Sequence, residues 1–81
     1  MKILFFGRLA EAAGAEAEVD VPAEGCTVAE LRRRLGEAIP EVAHELAKPS
    51  VRACIDRTLA LESAHVGPGQ EVAFIPPLSG G

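Results

Sequence analysis

Apolar positions along the chain follow two rhythms, one of period two and one of period between three and four. Lys2 to Phe6 is a short apolar run closed by Gly7, which reads as a strand. Leu9 to Ala13 contains helix formers and stops at Gly14, so one or two helical turns are expected there. Ala17, Val19 and Val21 alternate with Glu18 and Asp20, the signature of a strand with one buried and one wet face. Glu16, Glu18, Asp20 and Glu24 then read as a solvated face. Thr27-Val28-Ala29-Glu30 has the form of a capping box, in which the threonine hydroxyl accepts from the Glu30 amide and the glutamate reaches back. The main helix starts there. Val28, Leu31, Leu35 and Ile39 share one face, Arg32, Arg33 and Glu37 project elsewhere, and Pro40 ends it. The run Arg32-Arg33-Arg34 reads as a solvated face of that helix.

A second helical stretch, Glu41 to Lys48, turns Val42, Leu46 and Ala43 inward before Pro49 stops it. Val51 to Ile55 reads as a strand, Asp56-Arg57-Thr58 as a turn, and Leu59 to Leu61 as a short return strand. Gly67-Pro68-Gly69 is a tight turn. Glu71 to Ile75 is the last strand, and Pro76-Pro77 ends it by removing two backbone donors and favouring a stiff, extended exit. The order β(α)β-α-β-β-β defines an α+β chain. Without repeats or linkers it divides into a single domain, residues 1–76, and a flexible tail, residues 77–81, ending in Gly-Gly.

The first and last strands are apolar on both faces, yet one substantial helix covers only one side of a sheet. Either short helices and loops fill the gap or another protein covers the second face. Phe5, Phe6, Phe74 and Ile75 are the candidate partner contacts.

Composition narrows the function. A formal net charge of -4 over 81 residues lacks the footprint of a nucleic-acid binder. The run Ile3-Leu4-Phe5-Phe6 is shorter than a signal-peptide core of ~7 residues or more, and nothing approaches a membrane span, so a cytoplasmic location is expected. Cys26 and Cys54 lack metal-ligand spacing, and Cys54 reads as a small buried hydrophobe. His44, His65 and the serines form no recognisable nucleophile arrangement, and no phosphate-binding loop is present. Chemistry, if any, falls to the chain's own end. Gly80 and Gly81 lack Cβ atoms, so the backbone fits a narrow slot and presents an unhindered carboxylate to another protein's active site. A carboxylate is a poor electrophile and needs activation, most simply by adenylation. An unreactive frayed terminus is the plainer reading of the same two glycines.

Lys2-Ile3-Leu4-Phe5-Phe6-Gly7, Thr27-Val28-Ala29-Glu30-Leu31 and above all Glu71-Val72-Ala73-Phe74-Ile75-Pro76-Pro77-Leu78-Ser79-Gly80-Gly81 resemble the small, sulfur-carrier subunit of molybdopterin synthase over essentially the whole chain. The resemblance implies a ubiquitin-like β-grasp, a mixed sheet packed on one main helix with short additional helices. It implies that an E1-like enzyme adenylates Gly81 with ATP, that no cofactor is bound by the chain itself, and that a sulfur donor protein converts the adenylate to a thiocarboxylate. Pro76, Pro77, Leu78, Ser79 and Gly80 would then form the part of the tail that enters the large subunit of a heterotetramer, where cyclic pyranopterin monophosphate becomes the dithiolene of molybdopterin. Asp56, Pro68, Gln70 and Ile75 depart from the family's common residues. Sulfur carriage for thiamine thiazole synthesis or tRNA thiolation, ubiquitin-like conjugation to proteins, and a non-reactive β-grasp interaction module remain alternatives.

Overall fold

A computed structural model describes residues 1–77. Its ten elements run β1 (Lys2–Phe5), α1 (Arg8–Ala13), β2 (Glu16–Glu18), β3 (Cys26–Thr27), α2 (Val28–Ala38), α3 (Pro40–Leu46), β4 (Arg52–Ile55), β5 (Thr58–Ala60), β6 (His65–Val66) and β7 (Val72–Ile75). Five strands form one mixed sheet in the order β2-β1-β7-β4-β5, and β3 pairs with β6 as a separate ribbon. The first and last strands are central neighbours and parallel, with Ile3 opposite Val72 and Phe5 opposite Phe74. A parallel pair needs a crossover, and nearly the whole chain provides it. This is the ubiquitin-like β-grasp.

Strand alternation decides which side chains meet the helices. Ile3, Phe5, Val72 and Phe74 join Leu31, Leu35, Val42 and Leu46 in one buried cluster. Phe5 and Phe74 lie with ring centroids 6.4 Å apart. Their exposures are 2% and 0%. The expectation that these two aromatics contact a partner is therefore corrected: both are core residues. Nothing in a strand that is apolar at every position says which parity faces the helix.

The main helix begins as expected, with Thr27 Oγ1 accepting from the Glu30 amide at 3.1 Å. The reciprocal half of the capping box is absent. The Glu30 carboxylate instead accepts from Arg33 and Arg34 on its own helix, which holds it below the usual carboxylate range, chiefly through the Arg33 hydrogen bond. Arg32 also departs from expectation, since it is not a solvated residue. Its guanidinium donates to the Leu46 carbonyl at 2.6 Å and to Glu62 at 3.0 and 2.6 Å, and lies 5.2 Å from the centre of the Phe74 ring. The arginine closes the C-terminal end of α3 against α2 and covers the buried strand β7.

β2 ends at Glu18 and is shorter than the alternation suggested. Its inward set persists regardless, with Val19 buried and its amide donating to the Met1 carbonyl at 3.1 Å. The turn between β4 and β5 has two residues rather than three. Asp56 and Arg57 have φ of 47° and 71°, a primed hairpin geometry that matches the twist of the strands, and Thr58 already pairs with Ile55. Among the described residues no helix is long and apolar enough to cross a membrane.

Candidate functional site: the outer sheet face and the root of the tail

The register that buries Phe5 and Phe74 turns their neighbours outward. Leu4 is opposite Ala73, Ala73 opposite Cys54, and Cys54 opposite Leu59, so these four form a row across the face remote from the helices. A shallow groove of about 350 Å³ runs along it, lined by Leu4, Phe6, Cys54, Arg57, Glu71, Ala73 and Ile75. The large apolar side chains left exposed among the described residues are Phe6 (48%), Ile75 (37%), Leu59 (60%) and Leu61 (72%). Phe6 and Ile75 border the groove, and Leu59 ends its central row. Isolated exposed leucines are ordinary, but a contiguous apolar stripe with Arg57 and Glu71 at its rim has the anatomy of a protein-binding surface. Of the four expected contact residues, Phe6 and Ile75 stand on this face. Leu59 was missed, although the hairpin register places it directly beside Cys54.

The same strand supplies the tail. β7 leaves the sheet at Ile75, the half-buried Pro76 follows, and Pro77 is exposed. The remaining expected tail residues, Leu78, Ser79, Gly80 and the terminal Gly81, lie outside the described residues. Entry to β7 is fixed from the other end by a side-chain clasp. The Asp56 carboxylate accepts from the Glu71 amide at 3.0 Å and from the Gln70 side chain at 3.1 Å, while the Asp56 amide donates to the Glu71 carbonyl at 2.8 Å. The Gln70 carbonyl oxygen in turn accepts from the Gly67 amide at 2.8 Å. These bonds, the Glu71 amide first, hold the Asp56 carboxyl below its ordinary value. Asp56 and Gln70 are thus partners in one network, which ties the β4–β5 turn to the loop before β7.

Neither thiol is arranged for chemistry. Cys54 is buried, as expected, and Cys26 is partly buried beside the start of α2. Burial, opposed by Arg34 and assisted by Glu30, raises the Cys26 thiol above its ordinary value, the opposite of what a nucleophilic cysteine needs.

A mixed sheet with its first and last strands parallel and adjacent at the centre, packed on a main helix, defines a ubiquitin-like β-grasp protein. The chain belongs to the ThiS family, whose model matches residues 3–81. It is 33% identical over 81 residues to the molybdopterin synthase sulfur carrier subunit of Escherichia coli (strain K12), covering 100% of this chain and 99% of that one. Among solved structures it resembles SAMP1 from Haloferax volcanii, with a TM-score of 0.85, 26% identity, and 99% of this chain and 97% of that one covered. The H. volcanii small archaeal modifier protein 1 in another crystal structure gives a TM-score of 0.81 at 24% identity, with 95% of each chain covered.

Proposed function

We propose that the chain is the sulfur-carrier subunit of a molybdopterin synthase, not catalytic alone. The observation that carries the reading is full-length similarity to a subunit of that name together with one feature of this fold: the last strand both borders the open apolar face and leads to the C-terminal residues. A partner seated on Phe6, Leu59 and Ile75 receives the tail at the edge of its own contact surface. Gly81 is adenylated by an E1-like enzyme using ATP, with loss of pyrophosphate. Sulfur at the sulfide level, released by a donor protein, then displaces AMP to leave a thiocarboxylate. Tethering that sulfur to a docked domain raises its effective concentration at the acceptor, and Pro76 and Pro77 reduce the entropy lost as the tail enters the large subunit. The complex is a heterotetramer with the large subunit, and the acceptor is cyclic pyranopterin monophosphate.

A second reading has its own support. Likeness to SAMP1 favours attachment of Gly81 to lysines of other proteins through the same activated end. One experiment separates the two. The chain, its activating enzyme, ATP and a sulfur source are combined with the large subunit and cyclic pyranopterin monophosphate, and molybdopterin is assayed by conversion to its fluorescent oxidation product. Stoichiometric molybdopterin supports the first reading. Its absence, accompanied by higher-mass conjugates of the chain in cell extracts, establishes the second.

A further inference from the structure

We propose that Gly7 is a positioning residue for the tail, acting through Pro76; the proposal rests on the reading that the tail is activated at Gly81. The parallel register of β1 and β7 ends with Phe5 opposite Phe74, so Gly7 and Pro76 each stand two residues beyond the same pair. Between them Phe6 and Ile75 turn out to the open face. Gly7 has φ 60° and ψ -134°. A Cβ built on it lies 2.6 Å from Pro76 Cγ, 3.6 Å from Cδ and 3.7 Å from Cβ. The proline ring therefore occupies the space that any other residue at position 7 fills. The ring can move Cγ only by changing its pucker, so relieving the contact requires a pucker change, a shift of Pro76 or both, adding up to roughly 1 Å at Cγ.

The seat is fixed on both sides. The Gly7 carbonyl accepts from the Glu11 amide at 3.2 Å, which joins the turn to α1, and Phe74 just upstream of Pro76 is wholly buried. Pro76 is half-buried and Pro77 is exposed, so Pro76 is the last described residue held by the domain. With φ of the proline preset and its ring seated on Gly7, the direction in which residue 77 leaves is determined by the domain. The tail starts from this seat, so a displaced root changes where and in what direction the tail enters the activating enzyme. Correct placement of a reacting atom is worth large factors in rate, and a misplacement of ~1 Å costs on the order of 100-fold.

Glycine at position 7 also suits the positive φ, and the test must separate conformation from space. The Pro76→Ala background does so, because it removes the ring and leaves the positive φ, whereas D-alanine, for which φ 60° with ψ -134° mirrors an ordinary extended L-conformation, relieves both at once. Full-length chains made by synthesis are compared in ATP–pyrophosphate exchange with the activating enzyme. Gly7→D-Ala is expected to match the unmodified chain within about twofold. Gly7→Ala is expected to lose about 10- to 100-fold in kcat at unchanged KM, since the docking face is untouched, and Gly7→Ala added to Pro76→Ala is expected to cost less than about twofold beyond Pro76→Ala alone, because the ring that the methyl group displaces is already gone. Full kcat in Gly7→Ala, or D-alanine as slow as L-alanine, overturns the proposal. If Gly7→Ala does not fold, Pro76→Ala is set against Pro77→Ala: a loss confined to position 76 supports the seat, and equal rates overturn it. An unmodified chain that supports no exchange sinks the activation reading and the seat with it, a result distinct from equal rates across the set.

Discussion

Arg32→Ala is expected to lower stability by about 2–3 kcal/mol, although the residue sits in a run of arginines that looks like a solvated helix face. Three interactions are lost together. The bond to the Leu46 carbonyl, 2.6 Å long, satisfies a group in the last turn of α3 and contributes ~1 to 1.5 kcal/mol. The guanidinium 5.2 Å from the Phe74 ring centre adds ~0.5 to 1 kcal/mol. The fork to Glu62 is discounted to ~0.5 kcal/mol because the Glu62 side chain is 52% exposed. For a domain of this size each kcal/mol shifts the melting midpoint by ~4 to 8 °C, so calorimetry should show a fall of about 10 to 20 °C. Arg32→Lys should fall between the two chains, since an ammonium keeps the charge but not the planar fork. Arg33→Ala, whose guanidinium is half exposed, serves as the control with a shift of no more than a few degrees. A fall below about 3 °C for Arg32→Ala, or equal falls at positions 32 and 33, refutes the claim that Arg32 clasps α3 and β7.

Other consequences follow from the face, the clasp and the thiols. Phe6→Asp, Leu59→Asp and Ile75→Asp should each weaken binding to the large subunit by about 30-fold or more while changing the melting midpoint little, measured by titration calorimetry; unchanged affinity in all three removes the outer face from the interaction. Because the folded Asp56 carboxyl is held below its ordinary value of 3.8, its contribution is present above that pH and is lost as pH falls through the folded value. Asp56→Ala should therefore be less stable than the unmodified chain at pH 6, with the difference shrinking under acid denaturation; a difference that is constant or grows as pH falls contradicts the clasp. Cys26→Ser with Cys54→Ala should retain sulfur transfer within about twofold, since Cys26 is poorly ionised and Cys54 is a packing residue; loss of transfer in a chain that still folds would place a carrier thiol in the domain.

Much of this was written in the sequence, and the exceptions have identifiable causes. The spacing of Val28, Leu31 and Leu35, the Thr27 cap and the stop at Pro40 gave α2 correctly because each is a local signal. The β3–β6 ribbon went unseen because two-residue strands carry no alternation, and Cys26 opposite Val66 is a pairing across about half of the chain. Phe5 and Phe74 were placed on the partner face because neighbouring positions are also apolar; only the side on which the helices pack resolves the parity. The hairpin after β4 was read one residue too long because arginine is an unusual occupant of positive φ. Arg32 lies one residue past the buried Leu31, and its partners at Leu46 and Glu62 come from other elements, so no helical period reveals it. At the candidate site, Phe6 and Ile75 were legible as apolar residues beside the first and last strands, whereas their exposure, the row through Leu59 and the contact of Gly7 with Pro76 depend on register.

The central claim is that sulfur is carried on the backbone at Gly81, and the mass of the C-terminal peptide tests it most directly. The chain is measured as isolated from its own cells and again after incubation with ATP, the activating enzyme and a sulfur source. Fragmentation must assign the change to Gly81, because oxidation at Met1, Cys26 or Cys54 adds nearly the same mass as replacing oxygen with sulfur. The account predicts a thiocarboxylate at Gly81 that appears only with ATP and disappears on incubation with the large subunit and its pterin substrate. A terminal carboxylate unchanged under every condition, with an activating enzyme shown to be competent on another carrier, would contradict it.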